Sequence, residues 1–216
     1  CWFCEPIWVK AEKQCKRAGA FFFPGTEAEI MGERPSFWNV YDGKIPNEQR
    51  VDQILSWLDL PQSERPTVFT LYFSDTDDAG HDFSPESEEL KKAVAKVDGD
   101  LKRLYDGLKK RKISKKVNLI VVSDHGMATV KPENSVILDE YFDFSKTERI
   151  LWTGEIVQIF PKENAESAIL ENLQPIKNAK CWRKSEIPER LHYQASPRIA
   201  PIVCSADEGW YLTSKE

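Results

Sequence analysis

The sequence predicts an α/β fold: a mainly parallel sheet flanked by helices, with a smaller α+β lobe towards the C-terminus. Three observations carry this expectation. The runs at 67–73 (TVFTLYF) and 117–122 (VNLIVV) are rich in β-branched and aromatic residues, as buried strands are. Between them, Leu90, Val94, Val97, Leu101, Leu104 and Leu108 recur at spacings of three and four, which makes one apolar stripe on a helix. After Thr147 the elements become shorter and follow one another quickly.

Taken in order, Val51, Ile54, Leu55 and Leu58 mark a helix that ends before Pro61. Pro66 introduces the first strong strand. Ser84-Pro85 then reads as an N-cap followed by proline at the first helical position. Glu86, Glu88 and Glu89 suit the positive end of that helix, and Lys109, Lys110, Arg111 and Lys112 its negative end. A strand, a helix and a second strand in this arrangement imply parallel pairing through a right-handed crossover. Downstream, strands are expected at 156–160 and 198–204 and a helix at 163–173. The expected division is 1–147 for the main sheet and 148–216 for the lobe.

The chain has 216 residues, 41% hydrophobic and 30% charged, enough for one α/β domain with a satellite. Its net charge of −5 excludes a nucleic-acid groove, which needs clustered Lys and Arg. A small anionic substrate is compatible, because metal ions can supply local positive charge. No apolar run approaches the roughly 20 residues that span a bilayer. The chain opens on Cys1-Trp2-Phe3-Cys4 with no signal peptide, which suggests a partial segment; a membrane anchor is possible only in sequence outside it. The CxxC of Cys1 and Cys4 has no second pair at zinc-finger spacing. The five cysteines therefore read as a mixture of buried thiols and one disulfide.

Both strong strands run into potential metal ligands. The first is followed by Ser74-Asp75-Thr76-Asp77-Asp78-Ala79-Gly80-His81 and the second by Ser123-Asp124-His125-Gly126-Met127. Ligands in open parallel sheets bind beyond the carboxyl ends of strands. Only three histidines occur in the chain, and two of them stand here beside aspartates. Asp77 and His81 sit four apart across a loop where Gly80 permits a tight turn, so both reach one ion. Asp124 and His125 are adjacent, which suits two neighbouring metals, or one metal approached through an unusual turn at Gly126. Mixed carboxylate and imidazole ligation favours zinc, with manganese or iron also fitting. Two metals about 4 Å apart would clamp the attacking and leaving oxygens of a phosphoryl transfer. The plain alternative for either motif alone is a capping or hydrogen-bonding pair. Asp75 and Asp78 read as supporting or solvated carboxylates, and His192, with no carboxylate nearby, as structural. Four ligands are too few for two tetrahedral ions, and no residue stands in a nucleophile motif.

Asp77-Asp78-Ala79-Gly80-His81 followed by Ser84-Pro85, together with Val122-Ser123-Asp124-His125-Gly126-Met127, resembles the ectonucleotide pyrophosphatase/phosphodiesterase family of the alkaline phosphatase superfamily. Glu5-Pro6-Ile7-Trp8-Val9, Phe23-Pro24-Gly25-Thr26-Glu27, Val40-Tyr41-Asp42-Gly43 and Ala206-Asp207-Glu208-Gly209-Trp210 extend the likeness over essentially the whole chain. The resemblance implies an alkaline-phosphatase-like fold and two Zn2+ ions, one on Asp77 and His81 and the other on Asp124 and His125. It also implies a threonine nucleophile, hydrolysis of nucleotides to nucleoside monophosphates, and an extracellular or cell-surface location. Tyr41 and Phe23 match positions that stack on the nucleobase, Phe23 standing where tryptophan is usual; packing is the other reading for both.

Three departures follow from the same likeness. The family's threonine and first metal-binding aspartate would precede the Glu5-Pro6-Ile7-Trp8 stretch. Its last zinc-binding histidine would follow Asp207-Glu208-Gly209-Trp210. Phe3 and Cys4 stand where glycines are usual. These residues alone are thus expected to be inactive. A phospholipid or phosphocholine substrate in the same slot, or a non-catalytic binding fragment, are the alternatives.

Overall fold

The computed structural model describes residues 4–215. It divides into two compact units, Cys1–Met127 and Ala128–Glu216. The expected division at Thr147 thus differs from the observed one by about one element, because Ser135–Ile137 pairs with Tyr211–Thr213 near the C-terminus. Leu138 and Phe142 belong to the same core as that pair.

In the first unit, helix α1 (Ile7–Lys13) leads into β1 (Ala18–Phe21), a short β2 (Phe37–Trp38), α2 (Asn47–Leu58) and β3 (Val68–Leu71). The strands form one parallel sheet in the order β2-β1-β3. The mixed α/β class with a parallel sheet is therefore as expected. Sequence reading passed over β1 because Ala18-Gly19-Ala20-Phe21 lacks β-branched residues. All four are nevertheless buried. A Cβ on Gly19 would lie 2.9 Å from the Trp57 ring of α2, so the small residue is what lets the helix settle on the strand.

Helix α3 (Asp75–Phe83) and the long α4 (Glu88–Lys110) follow. The expected N-cap at Ser84 belongs instead to the end of α3, where its φ is +96°. Ser87 caps α4, its side chain accepting from the Leu90 amide at 3.1 Å, with Glu88 and Glu89 in the first turn. Only the second half of the predicted apolar stripe is buried: Leu104 and Leu108 join Val51, Ile54, Leu55, Trp57 and Leu58 of α2, whereas Val94 is exposed.

The run at 117–122 forms no strand. Leu119, Ile120, Val121 and Val122 are exposed, and β3 pairs with β1. The expected crossover onto a second strong strand is therefore absent from the described structure. Propensity alone does not make a strand without a paired neighbour.

The second unit contains β4 (Ser135–Ile137), β5 (Thr147–Trp152), β6 (Ile156–Pro161), α5 (Glu166–Leu173), β7 (Ala179–Arg183), β8 (Ile202–Ala206) and β9 (Tyr211–Thr213). An antiparallel sheet of order β5-β6-β8-β7 and a parallel β4-β9 pair carry it. Val157, Ile159, Ile202 and Cys204 point from the sheet into a core shared with Leu138, Ile169 and Leu173, all essentially inaccessible to solvent. The expected strand at 198–204 begins later, at Ile202, and the expected helix begins at Glu166. Cys181 and Cys204 stand opposite one another on β7 and β8 and form a disulfide. Cys4 and Cys15 are free and exposed, not buried as expected; the Cys1 half of the CxxC lies outside the described residues. His192 sits in the left-handed region at the end of a short turn, with no part in the candidate site. Among the described residues, no helix is long and apolar enough to cross a membrane.

Candidate functional site

Beyond β3, Tyr72, Phe73 and Ser74 lead directly into α3. The stretch expected to be a loop is helical, so Asp77 and His81 come together because residues four apart share one helical face. His81 Nε2 lies 3.5 Å from Asp77 Oδ1. Gly80 is buried on α3, and a Cβ there would lie 2.4 Å from Met127 Sδ. Its missing side chain lets the end of the second motif close onto the first.

That closure brings the second pair to the same place. His125 Nδ1 stands 2.9 Å from the Gly126 carbonyl. A carbonyl can only accept, so Nδ1 carries a proton. Nε2 is 3.6 Å from Asp124 Oδ2 and 3.8 Å from Asp77 Oδ1. Asp77 Oδ1, central to these approaches, is buried and has no hydrogen-bond partner among the described residues, although the Asp77 side chain as a whole is 37% exposed. A buried carboxylate oxygen left in that state costs free energy unless something compensates it.

Ion pairing does not explain the cluster. The side chains of His81, Asp124 and His125 are 71%, 72% and 58% exposed, and pairs this open to water contribute little to stability. Metal ligation fits the spacing better. Two donors at about 2.1 Å from a tetrahedral ion lie about 3.4 Å apart, close to the separations here. The Asp77 oxygen and the His125 imidazole, oriented by its own backbone, both suit a metal. The approaches are pairwise: among the described residues, no group of three or more His, Cys, Asp or Glu is arranged to hold an ion.

The start of α3 is held from α2 and α4. Asn47, buried on α2, donates to Asp75 Oδ2 at 2.7 Å and to Asp100 Oδ2 at 2.8 Å, and Lys96 of α4 pairs with Asp75. Burial opposes ionisation of Asp75, but the hydrogen bonds from Lys96 and Asn47 outweigh it and hold its carboxyl below the usual range. Asp75 is thus a supporting carboxylate. Burial pushes the Tyr72 phenol up, and the Asp77 and Asp124 carboxylates add to the shift, so Tyr72 is a neutral donor facing an acidic site.

The two candidate stacking aromatics fare differently. Tyr41 is half exposed; its amide donates to Glu27 Oε1 at 2.6 Å and its hydroxyl to Ser74 Oγ at 3.3 Å. Its ring meets Phe22 edge-on at 5.3 Å and Tyr72 at 6.5 Å. Phe23 turns to Trp8, 6.1 Å between ring centres, in a separate small core cluster. Tyr41 is therefore brought beside the β3–α3 turn, while Phe23 has the packing role that was its other reading. Beside the turn lies a cavity of about 430 Å³ lined by Gly43, Asn47, Ser74, Asp78, Asp82 and Lys96, among others. Sequence reading missed Tyr72, Phe22 and Asn47. Only Tyr72 carried a signal, at the end of a strand just before the first motif.

Comparison with known proteins gives a consistent result. A family model described as type I phosphodiesterase / nucleotide pyrophosphatase matches residues 1–216. Ectonucleotide pyrophosphatase/phosphodiesterase family member 1 of Homo sapiens is 36% identical over 96% of this chain and 24% of its own length. Venom phosphodiesterase CdcPDE of Crotalus durissus collilineatus is 35% identical over 97% of this chain and 26% of its own. Structures of murine ectonucleotide pyrophosphatase / phosphodiesterase 5, one of them an inactive variant in complex with AMP, superpose with a TM-score of 0.86 at 33% identity, covering 98% of this chain and 56% of theirs. The chain spans about a quarter of the length of these two curated relatives.

Proposed function

The chain belongs to the type I phosphodiesterase / nucleotide pyrophosphatase family, and from that premise we propose that it carries part of a metal-dependent site that hydrolyses phosphodiester or pyrophosphate bonds of nucleotides. The observation that carries the reading is Asp77 Oδ1, buried without a hydrogen-bond partner among the described residues and within 4 Å of the Nε2 atoms of both His81 and His125. Asp77 and His81 are proposed to hold one Zn2+, and Asp124 and His125 a second, with other divalent ions able to replace them. When bound, such ions neutralise the charge that develops on the phosphoryl oxygens.

The protein's own groups have separate tasks. The Gly126 carbonyl orients the His125 ring through Nδ1. Asn47 and Lys96 fix Asp75, and with it the start of α3. The half-exposed Tyr41 ring is proposed to stack on the base of a small nucleotide, a ligand class supported by the AMP bound to the murine relative. Phe23 is proposed for that face only through Phe22 and the loop it starts. The nucleophile is proposed to be a threonine that these residues do not supply in a recognisable motif. The products would be nucleoside monophosphates. An oxidising, extracellular or cell-surface setting is proposed from the Cys181–Cys204 disulfide and from the ecto- and venom enzymes among the relatives.

The test is hydrolysis of a nucleotide phosphodiester by the intact protein and its Asp124→Asn variant. The variant should lose activity altogether; an undiminished rate would refute the assignment.

A further inference from the structure

One buried charge in the first unit has no carboxylate among its recorded partners. Arg50 on α2 is 3% exposed. Its Nε donates to the Ile45 carbonyl at 2.9 Å and its Nη1 to the Tyr72 carbonyl at 3.1 Å. The guanidinium carbon stands 5.1 Å from the centre of the Phe22 ring and 6.0 Å from that of Tyr41. Burying an arginine is costly unless its donors and its charge are met. Here two backbone carbonyls and two ring faces meet them.

The groups so gathered are those that shape the aromatic face. Tyr41 touches Phe22 and Tyr72 through its ring and Ser74 through its hydroxyl. Phe22 has a φ of +60°, a left-handed conformation that a bulky residue keeps only where its surroundings impose it. Ile45 ends the loop that carries Tyr41. One planar fork thus ties the Tyr41 loop, the end of β3 and the strained Phe22 to a single helix. Lysine, with a point charge and no fork, could not span both carbonyls while lying flat on the rings.

We propose that Arg50 is a positioning residue for base recognition: from the wall of the cavity beside the β3–α3 turn it holds Tyr41 and Tyr72 in the arrangement that receives a nucleobase. This rests on the nucleotide reading above and deepens it. It predicts a defect confined to substrates with a base, because the metal-ligand candidates of α3 and 123–127 make no contact with the guanidinium among those recorded.

The test uses the intact protein, wild type and Arg50→Gln, with a nucleotide phosphodiester and a base-free aryl phosphodiester, alongside equilibrium binding of AMP. Arg50→Gln should raise KM for the nucleotide substrate and Kd for AMP about tenfold, change kcat less than threefold, and leave KM for the aryl substrate unchanged. Arg50→Lys should recover only part of the loss. If Arg50→Gln fails to fold, Phe22→Leu, which removes the ring beneath the guanidinium, should show the same split. Equal losses on both substrates would make Arg50 merely structural, and no loss on either would remove its role; both overturn the proposal while leaving the phosphodiesterase reading intact. A wild type that neither cleaves a nucleotide nor binds AMP overturns that reading and this proposal with it.

Discussion

The two units spend their strands in different ways. In Ala128–Glu216 every named strand is paired, the sheet covers a core of residues with almost no solvent exposure, and a disulfide joins neighbouring strands. In Cys1–Met127 the parallel sheet has three short strands, and the apolar run at 117–122 stands exposed just before Asp124 and His125. All four candidate metal ligands and Tyr41 lie in this less closed unit. The difference separates stability from chemistry. Among the described residues, the buried side-chain polar atoms without a hydrogen-bond partner, Asp77 Oδ1 among them, all lie in the first unit.

Substitutions should break that division unequally. Ile159, wholly buried on β6, should lose about 2–5 kcal/mol of stability on Ile159→Ala through the cavity it leaves. Chemical denaturation would measure this, and metal content should stay unchanged. Reducing the Cys181–Cys204 bridge, which closes a segment with a sequence separation of 23, should cost about 2–4 kcal/mol in the same unit, read as a lower melting temperature in reductant. On the chemical side, Tyr41→Ala should weaken nucleotide substrates by about 1–3 kcal/mol and a base-free aryl phosphodiester far less; equal losses would remove its stacking role. The smallest effect belongs to the surface. A hydrogen bond from Arg103 holds the Asp52 carboxyl below its usual range. A lowered folded value means stabilisation that is present above the unfolded value of about 3.9 and is lost as pH falls through the folded one. Asp52→Asn should therefore slightly lower the melting temperature at pH 7 and leave it unchanged in strong acid.

What could be read from sequence follows the same physics. The pattern of α2, β3 and β6 was legible because burial imposes a period that composition records. β1 was not, since Ala18-Gly19-Ala20-Phe21 lacks β-branched residues and Gly19 is small where Trp57 packs on it. The run at 117–122 was legible as a strand by composition, yet a strand also needs a partner edge, which no single run reveals. That Asp77, His81, Asp124 and His125 come close together was legible because scarce histidines stood beside aspartates in two short motifs. That Asp77 and His81 meet across a helical turn was not, because Gly80 suggests a loop until Met127 is seen to occupy its open side. Asn47 and Arg50 carried no signal, as buried polar residues on an amphipathic helix read like solvated ones. Phe23 stands in a suggestive motif, and its ring meets Trp8, a contact that no sequence pattern announces.

The central claim is that the orphaned Asp77 oxygen and its neighbours mark metal ligation. Elemental analysis of the intact protein and its Asp124→Asn variant tests it without relying on activity. Two zinc ions per chain in the wild type, with clear loss from the variant, is the predicted result; a wild type without bound metal, or a variant that keeps its full complement, would contradict it.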